Sequence, residues 1–242
     1  SSYICEIMKN IAVVLAGGSG RRFGAEKPKQ FLVVAGRTIL EHTLSKFDKH
    51  PDITGICLVV HPDYMSEASL IIENAGFSKP VTLLAGGKER YDSSLAAIRH
   101  YNSVYASGVD INLLFHDAVR PMISADIITN LVRELDYCSA VCVAVPATDT
   151  LYCIDAGRNI MDIPDRARIW NAQTPQGFRL ELITQAYEKA ISDPAFATTD
   201  DCGVVFRYMP EQSIKIVEGD PCNIKLTYKT DMDRLEVLLE DM

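Results

Sequence analysis

The amino-acid sequence predicts an α/β fold with a mostly parallel β-sheet flanked by helices. Short apolar runs alternate along the chain with segments whose apolar residues recur at helical spacing. The runs are apolar on both faces, as expected for strands that helices cover on each side. Strands that alternate with helices indicate βαβ units, which place successive strands parallel in one sheet.

The predicted strands are short apolar runs that end in glycine or polar turns. They occupy residues 11–16, 56–60, 81–84, 112–115, 140–145 and 213–217. The predicted helices occupy residues 38–47, 64–75, 94–101, 180–191 and 230–239. A further helix is expected after the fourth strand, with either Ser124 or Asp126 as its cap.

Residues 148–173 interrupt this alternation. They contain two short extended segments on either side of Asp155-Ala156-Gly157-Arg158, a sequence typical of a hairpin turn. We therefore expect residues 148–173 to form an arm that projects from a single domain spanning residues 11–242. Residues 1–10 are expected to be an N-terminal appendage to that domain, in which residues 1–7 precede Met8 as the natural start.

The length and composition suit one α/β domain with a sizeable core, or two small domains. The chain has 242 residues, of which 48% are hydrophobic and 23% are charged. The net charge is −8, whereas nucleic-acid binding needs a basic surface. We expect no nucleic-acid partner, and we expect a local basic cluster to hold any anionic substrate.

The chain is expected to be cytoplasmic and to have no membrane partner. No apolar run approaches the roughly 20 residues of a membrane span, and the first ten residues lack the pattern of a signal peptide. The seven cysteines are odd in number and form no CxxC pair. We expect them to be reduced and to bind no zinc.

A glycine-rich segment, LAGGSGRRFG at residues 15–24, follows the first predicted strand, and KPKQ follows at residues 27–30. Glycines let backbone N–H groups approach phosphate oxygens closely, and Arg22 and Lys29 would add positive charge for a triphosphate and a leaving pyrophosphate. The Walker pattern is absent, and GxGxxG fails at Phe23, which disfavours a P-loop ATPase and a dinucleotide oxidoreductase. The alternative is a glycine turn beside solvated charges.

Two more polar segments follow the third and fourth predicted strands. Residues 86–94, GGKERYDSS, could bind a base or ribose through backbone groups and Ser93, or could be a solvated turn before a helix. In HDAVRP, Asp117 could hold a metal or ribose and Arg120 a phosphate, or the two could form a local ion pair. Because ligands bind beyond the carboxyl ends of parallel strands, we expect all three segments to converge there.

His116 alone is interpreted as a packed or hydrogen-bonded histidine, and a Ser-His-Asp hydrolase lacks its GxSxG elbow. Several other polar groups acquire meaning only if they face the glycine loop: Asp149-Thr150, Asp165-Arg166, Thr174-Pro175-Gln176 and Asn223-Ile224-Lys225.

Together these motifs resemble a known family. LAGGSGRRFG, KPKQF, HDAVRP, DT, QTPQGF, TDD and NIKLT occur in the order found in 2-C-methyl-D-erythritol 4-phosphate cytidylyltransferases and in the related D-ribitol-5-phosphate cytidylyltransferases. The resemblance covers residues 11–232. It implies a Rossmann-like fold, a homodimer with interlocking β-arms, and magnesium-dependent attack of a substrate phosphate on the α-phosphorus of CTP, with release of pyrophosphate.

The resemblance also implies roles for individual residues. The triphosphate loop would comprise Ala16, Gly17, Gly18, Gly20, Arg22 and Lys29, the last two stabilising the transition state. The residues around the cytidine would be Gly87, Arg90 and Ser93. The substrate side would be lined by Asp117, Arg120, Thr150, Thr174 and Lys225, with Asp117 as magnesium ligand and Lys225 as a catalytic cation. Arg166 would reach from the partner's arm to the substrate phosphate.

The resemblance leaves two acceptors open. Ile163-Pro164-Asp165-Arg166 is more like the ribitol type, whereas Thr199-Asp200-Asp201 and HDAVRP are closer to the erythritol type. Lys88 and Tyr152 stand where erythritol-type members often have an acidic residue and a lysine. We expect methylerythritol phosphate, with ribitol phosphate as the alternative.

Other function classes fit less well. A sugar-1-phosphate nucleotidylyltransferase would share the early loop but not QTPQ or NIK, and a glycosyltransferase would show a DxD motif after a strand. A nucleotide sensor on the same fold would bind CTP without turnover. Such a sensor would not need Arg22, Lys29, Asp117 and Arg166 together.

Overall fold

A computed structural model of the chain describes residues 8–17, 27–105 and 108–240. The strands are β1 (Lys9–Ala16), β2 (Val33–Val34), β3 (Arg37–Thr38), β4 (Gly55–Val60), β5 (Val81–Ala85), β6 (Ile111–Asp117), β7 (Ala140–Pro146), β8 (Cys153–Ile154), β9 (Ile160–Asp162), β10 (Trp170–Arg179) and β11 (Lys215–Glu218). The helices are α1 (Ile39–Asp48), α2 (Met65–Ala75), α3 (Arg90–Val104), α4 (Ala125–Glu134), α5 (Leu180–Ile191), α6 (Asp201–Tyr208) and α7 (Thr230–Glu240).

Seven strands form one sheet in the order β11-β7-β10-β6-β1-β4-β5. All of its neighbouring pairs are parallel except those of β10, which runs antiparallel to β6 and to β7. The predicted α/β fold with a mostly parallel sheet is therefore confirmed. The carboxyl ends of β1, β5, β6 and β7 lie along one edge of the sheet, where β10 begins.

Helices cover both faces of the sheet because the strand residues alternate between two apolar layers. In β1, Ile11 and Val13 pack in a core with α3, α5 and α6, whereas Ala12 and Val14 pack in a core with α1, α2 and α4. Both layers consist mainly of fully buried aliphatic side chains. This two-sided burial is the reason that the strands read as continuous apolar runs.

The end of the predicted appendage and the end of the predicted arm both differ from the structure. Strand β1 begins at Lys9, so Lys9 and Asn10 belong to the sheet and not to an N-terminal appendage. Asn10 can be buried there because its polar side chain is hydrogen-bonded. It donates to Asp52 O (3.0 Å) and accepts from Asn112 Nδ2 (2.9 Å). The region predicted as an arm also ends earlier, because 170–173 already belong to β10, which pairs with β7 from Trp170 onward.

The arm itself contains the predicted hairpin, in which β8 pairs antiparallel with β9. The turn is held by Asp155, whose carboxylate accepts from the backbone and side-chain nitrogens of Asn159. Of the two candidate caps for α4, Ser124 is the N-cap, and its hydroxyl accepts from Ile127 N (3.3 Å). No helix in the described ranges is long and apolar enough to cross a lipid bilayer.

Candidate active site

Gly17 and Gly86 both lie against the hydroxyl of Ser93. Gly17 follows β1 and Gly86 follows β5, and Ser93 lies buried in the first turn of α3. A β-carbon added to Gly86 would lie 2.5 Å from Ser93 Oγ, and one added to Gly17 would lie 3.0 Å from it. Little room is left for a side chain at Gly86, and Gly17 is also closely packed, so these two glycines present backbone alone at this edge of the sheet.

Gly87 is packed equally closely. A β-carbon there would lie 2.5 Å from the side chain of Asp92. The Asp92 carboxylate accepts from Glu89 N (2.9 Å), and the two acidic residues form the capping box at the start of α3. The glycine therefore lets the turn approach the helix, and this fixes where Arg90 and Ser93 enter the site.

The basic segment after the first glycine loop is tied to the sheet edge at two points. The buried Gln30 donates from Nε2 to the carbonyl of Ala16 at the end of β1 (2.9 Å). Lys29 donates from Nζ to the carbonyl of Leu226 (2.6 Å), which places it beside the segment that carries Lys225. Three further predicted loop residues lie outside the described part of the chain: Gly18, Gly20 and Arg22.

Asp117, at the end of β6, is contacted by two cations. Its Oδ2 lies 3.0 Å from Lys225 Nζ and 3.4 Å from Arg120 Nε. Burial alone would raise the pKa of Asp117, but the positive charges of Lys225, Arg120 and Arg90 offset that effect and lower it overall. Asp117 is therefore an ionised carboxylate at neutral pH.

Arg120 is buried, and its guanidinium anchors the segment after β11. It contacts Asp117, and its Nη1 donates to the carbonyl of Asn223 (2.7 Å). The Asn223 amide in turn donates to Thr174 O (2.9 Å) and to Gln173 Oε1 (3.2 Å) of β10. The local ion pair that the sequence left open is thus present, and Arg120 uses its remaining donors to hold the site together.

A histidine and a threonine connect β6 to β10. Nε2 of His116 lies 3.0 Å from Arg120 O and therefore carries the proton, which leaves Nδ1 to accept from the Thr174 hydroxyl (2.9 Å). The same hydroxyl accepts from Asp117 N (3.1 Å). Burial lowers the pKa of His116 to about 4, so the ring is neutral at pH 7 and orients its neighbours, in agreement with its interpretation as a hydrogen-bonded histidine.

Two predicted site residues lie on the arm, apart from these groups. Arg166 donates from Nη1 to the carbonyl of Thr148 (2.9 Å) at the base of the arm, and its side chain is exposed. Thr150 is also exposed. Within the described residues neither contacts Asp117 or Lys225, whereas Lys29, Ser93, Arg90, Asp117, Arg120, Thr174 and Lys225 do occupy one edge of the sheet.

Comparison with known proteins decides the family. The family model for 2-C-methyl-D-erythritol 4-phosphate cytidylyltransferase (IspD) matches residues 10–241. The chain belongs to this family. A 2-C-methyl-D-erythritol 4-phosphate cytidylyltransferase of Thermobifida fusca is 42% identical over 232 residues, which cover 94% of this chain and 92% of the relative.

Two further relatives bear on the site. The crystal structure of 4-diphosphocytidyl-2C-methyl-D-erythritol synthase from Anaerococcus prevotii has a TM-score of 0.84 and 26% identity, and the match covers 99% of this chain and 100% of that one. The bifunctional ribulose 5-phosphate reductase/CDP-ribitol pyrophosphorylase of Haemophilus influenzae is 39% identical over 93% of this chain but 47% of its own length. The cytidylyltransferase family membership thus agrees with a nucleotide site at the sheet edge.

Three residues that hold this candidate site together were not predicted to do so: Gln30, Asp201 and Asn223. Each lies in one of the motifs described above, but its residue type alone predicts no role. All three are buried polar side chains, and a buried polar group is normally hydrogen-bonded. The sequence signal for each of these residues was a polar residue within KPKQF, TDD or NIKLT. The hydrogen-bond partner of each one lies in another element of the fold.

The chemistry of Asp117 suits one ligand of a magnesium ion. Mg²⁺ prefers hard oxygen ligands and is commonly bound by one or two carboxylates together with substrate phosphates. Both contacts of Asp117 described above involve Oδ2, and Oδ1 makes no hydrogen bond to the described part of the chain. No group of three or more His, Cys, Asp and Glu side chains in the described ranges could hold a metal without a ligand's help.

Thr174→Val should destabilise the protein by about 1–3 kcal/mol, because it leaves the buried Nδ1 of His116 and the Asp117 N–H without their partner. Thr174→Ser retains the hydroxyl and should cost clearly less. Chemical denaturation of both variants measures the difference. Equal stability of the valine and serine variants would show that the hydroxyl does not connect the two strands.

Proposed function

We propose that this chain transfers CMP from CTP to 2-C-methyl-D-erythritol 4-phosphate and releases pyrophosphate. The observation that carries the proposal is that Lys29, Asp117, Arg120 and Lys225 lie at the same edge of the sheet as the closely packed glycines Gly17 and Gly86. Backbone N–H groups and fixed cations are the groups that a transferring triphosphate requires. The family match and the relative in Thermobifida fusca support the same reaction and acceptor.

The chemistry needs little acid–base help from the protein. A phosphate oxygen of the acceptor attacks the α-phosphorus of CTP, so a new P–O bond forms as the bond to the β-phosphate breaks. The nucleophile is already an anion whose electron pair forms the new bond, and the electron pair of the broken bond leaves with pyrophosphate, so no strong general base is required. Arg22, Lys29 and Lys225 would neutralise the charge that develops, and Arg90 and Ser93 would position the nucleoside.

Asp117 would hold Mg²⁺ together with phosphate oxygens of CTP. When bound, the ion supplies positive charge against the triphosphate. Arg120 keeps the Asp117 carboxylate and the Asn223 segment in place, as its buried contacts with both indicate. The Thr174 hydroxyl accepts a hydrogen bond from Asp117 N and thereby helps to hold Asp117 in position.

The proposal includes a homodimer formed through the arm. The arm and the adjoining first residue of β10 expose a set of large apolar side chains: Leu151, Tyr152, Ile154, Ile160, Met161, Ile163 and Trp170. A small hairpin with so much apolar surface is unstable alone in water, and a second copy would cover it. In that dimer Arg166 and Thr150 would meet the partner's site, where Arg166 would bind the acceptor's phosphate.

A cytoplasmic location also belongs to the proposal, and the free thiols of the six described cysteines support it. Ribitol 5-phosphate is the alternative acceptor, favoured by the relative in Haemophilus influenzae at 39% identity. The two acceptors share a phosphorylated polyol chain, so the same cations would serve either one.

Pyrophosphate release with CTP and Mg²⁺ should be fast with 2-C-methyl-D-erythritol 4-phosphate and at least roughly tenfold slower with D-ribitol 5-phosphate, the discrimination expected from an added or missing substrate group. A coupled phosphate assay with each acceptor in a separate reaction measures this. Faster pyrophosphate release with D-ribitol 5-phosphate would instead support the synthesis of CDP-ribitol. Folded protein that binds CTP and turns over neither acceptor would contradict the proposed reaction.

Lys29→Ala should lower kcat roughly 100-fold or more, because it removes a cation that stabilises charge in the transition state. Lys27→Ala is the matched control, since the Lys27 ammonium forms an exposed ion pair with Glu67 (3.1 Å) instead. Steady-state kinetics on both variants, with circular dichroism to confirm folding, measure the effect. Similar losses in the two variants would show that net charge, and not the position of Lys29, matters.

Met161→Glu combined with Ile163→Glu should convert a dimer into a monomer of 26.8 kDa and abolish turnover, because the charges prevent burial of the arm. Leu70→Glu is the control, since Leu70 is about as exposed as Ile163 but lies on α2. Sedimentation velocity measures the mass. A wild-type monomer, or an active monomeric variant, would refute the role of the arm.

A further inference from the structure

A carboxylate that the proposed reaction does not use is buried behind Arg90. Asp201 is the first residue of α6 and is fully buried. Its Oδ2 lies 3.2 Å from Arg90 Nη2, and its Oδ1 accepts a hydrogen bond from the hydroxyl of Tyr187 (2.6 Å). A buried charge is unfavourable unless it is paired and hydrogen-bonded, and these two contacts satisfy both oxygens.

Arg90 lies between this carboxylate and the site. Burial alone would lower the pKa of Arg90, but the negative charges of Asp201 and Asp117 offset burial and raise it overall. The contact to Asp201 uses Nη2, whereas Nη1 is buried and has no hydrogen-bond partner among the described residues. A buried guanidinium N–H without an acceptor is costly, and this marks it as a group that awaits a ligand.

The start of α6 is itself held rigidly. The buried Gln176 of β10 donates from Nε2 to Asp200 Oδ2 (2.9 Å) and accepts from Cys202 N at Oε1 (3.0 Å). Asp201 is therefore fixed on both sides along the chain, and Tyr187 fixes its carboxylate from α5. The position of the Arg90 guanidinium is determined by the sheet, α5 and α6 together.

We propose that Asp201, supported by the Tyr187 hydroxyl, is a positioning residue that holds Arg90 so that its Nη1 donates to an acceptor atom of the bound nucleoside triphosphate. The inference rests on the proposed function, since it names the ligand of that same site. Asp201 does not touch the nucleotide and acts through Arg90. Its loss should therefore weaken nucleotide binding and leave acceptor binding unchanged.

Asp201→Asn keeps the shape of the side chain and removes its charge. We expect the Kd and KM for CTP to rise roughly tenfold or more, which is the effect of weakening one hydrogen bond to a charged group, while the KM for the acceptor stays the same. Asp193→Asn is a matched control, because Asp193 also binds an arginine, Arg207 (3.0 Å), and a tyrosine hydroxyl, but lies at the surface. It should leave CTP binding unchanged.

A double-mutant cycle separates positioning from a merely structural role. In an Arg90→Met background, Asp201→Asn should change the CTP affinity less than roughly twofold, because the residue through which it acts is already gone. Titration calorimetry with CTP measures the four affinities, and thermal unfolding measures the four stabilities. Equal effects in both backgrounds, or lost stability without weaker CTP binding, would overturn the inference.

Tyr187→Phe provides a second test if Asp201→Asn does not fold. It leaves both charges in place and removes one hydrogen bond from Asp201, so we expect roughly threefold weaker CTP binding. Unchanged CTP affinity in folded Tyr187→Phe would overturn the inference. Because the readout is CTP binding, wild-type protein that binds CTP without turnover would contradict only the proposed reaction.

Discussion

The negative charge of Asp117 is the constraint on which the rest of the site depends. Positive groups gathered for a triphosphate repel one another, and in a partly buried site that repulsion is poorly screened. Asp117 contacts Lys225 and Arg120 directly and also acts on Arg90, so this carboxylate at the end of β6 offsets part of the repulsion among three cations. The site can then keep its cations close together before any ligand arrives.

Buried polar side chains hold the loops of the site in place around Asp117. Gln30 ties the basic segment to β1, Asn223 ties the segment of Lys225 to β10, and Gln176 ties α6 to β10. Each satisfies backbone or carboxylate groups that would otherwise be unpaired at the sheet edge. The rigid sheet therefore sets the positions of the loops, and catalysis by charge needs such pre-organisation because reorganising dipoles would cost the energy that they supply.

The sequence was most informative where burial repeats along an element. The strands at 56–60 and 81–84 and the helix at 180–191 were predicted closely, because apolar runs and helical periodicity report two-sided or one-sided burial directly. Strand β10 was not predicted, because its residues Gln173, Thr174 and Gln176 are polar and yet buried. Their hydrogen bonds go to His116, Asp200 and Asp220, and such partners in distant segments leave no local pattern.

The positions of the candidate site residues were predictable from the sequence only where the sheet determines them. Gly17, Gly86, Lys29 and HDAVRP lie at one edge of the sheet, because parallel strands place their carboxyl ends there. The arm is different, because the sheet does not determine where Arg166 lies: its guanidinium is held by Thr148 at the arm's base and remains exposed. In the proposed dimer the nucleotide half of the site is built by one chain's sheet and the acceptor half is completed by the other chain's arm. Selectivity between two polyol phosphates would then be set by the arm, which is also where the sequence resembles the ribitol-type enzymes, in Ile163-Pro164-Asp165-Arg166.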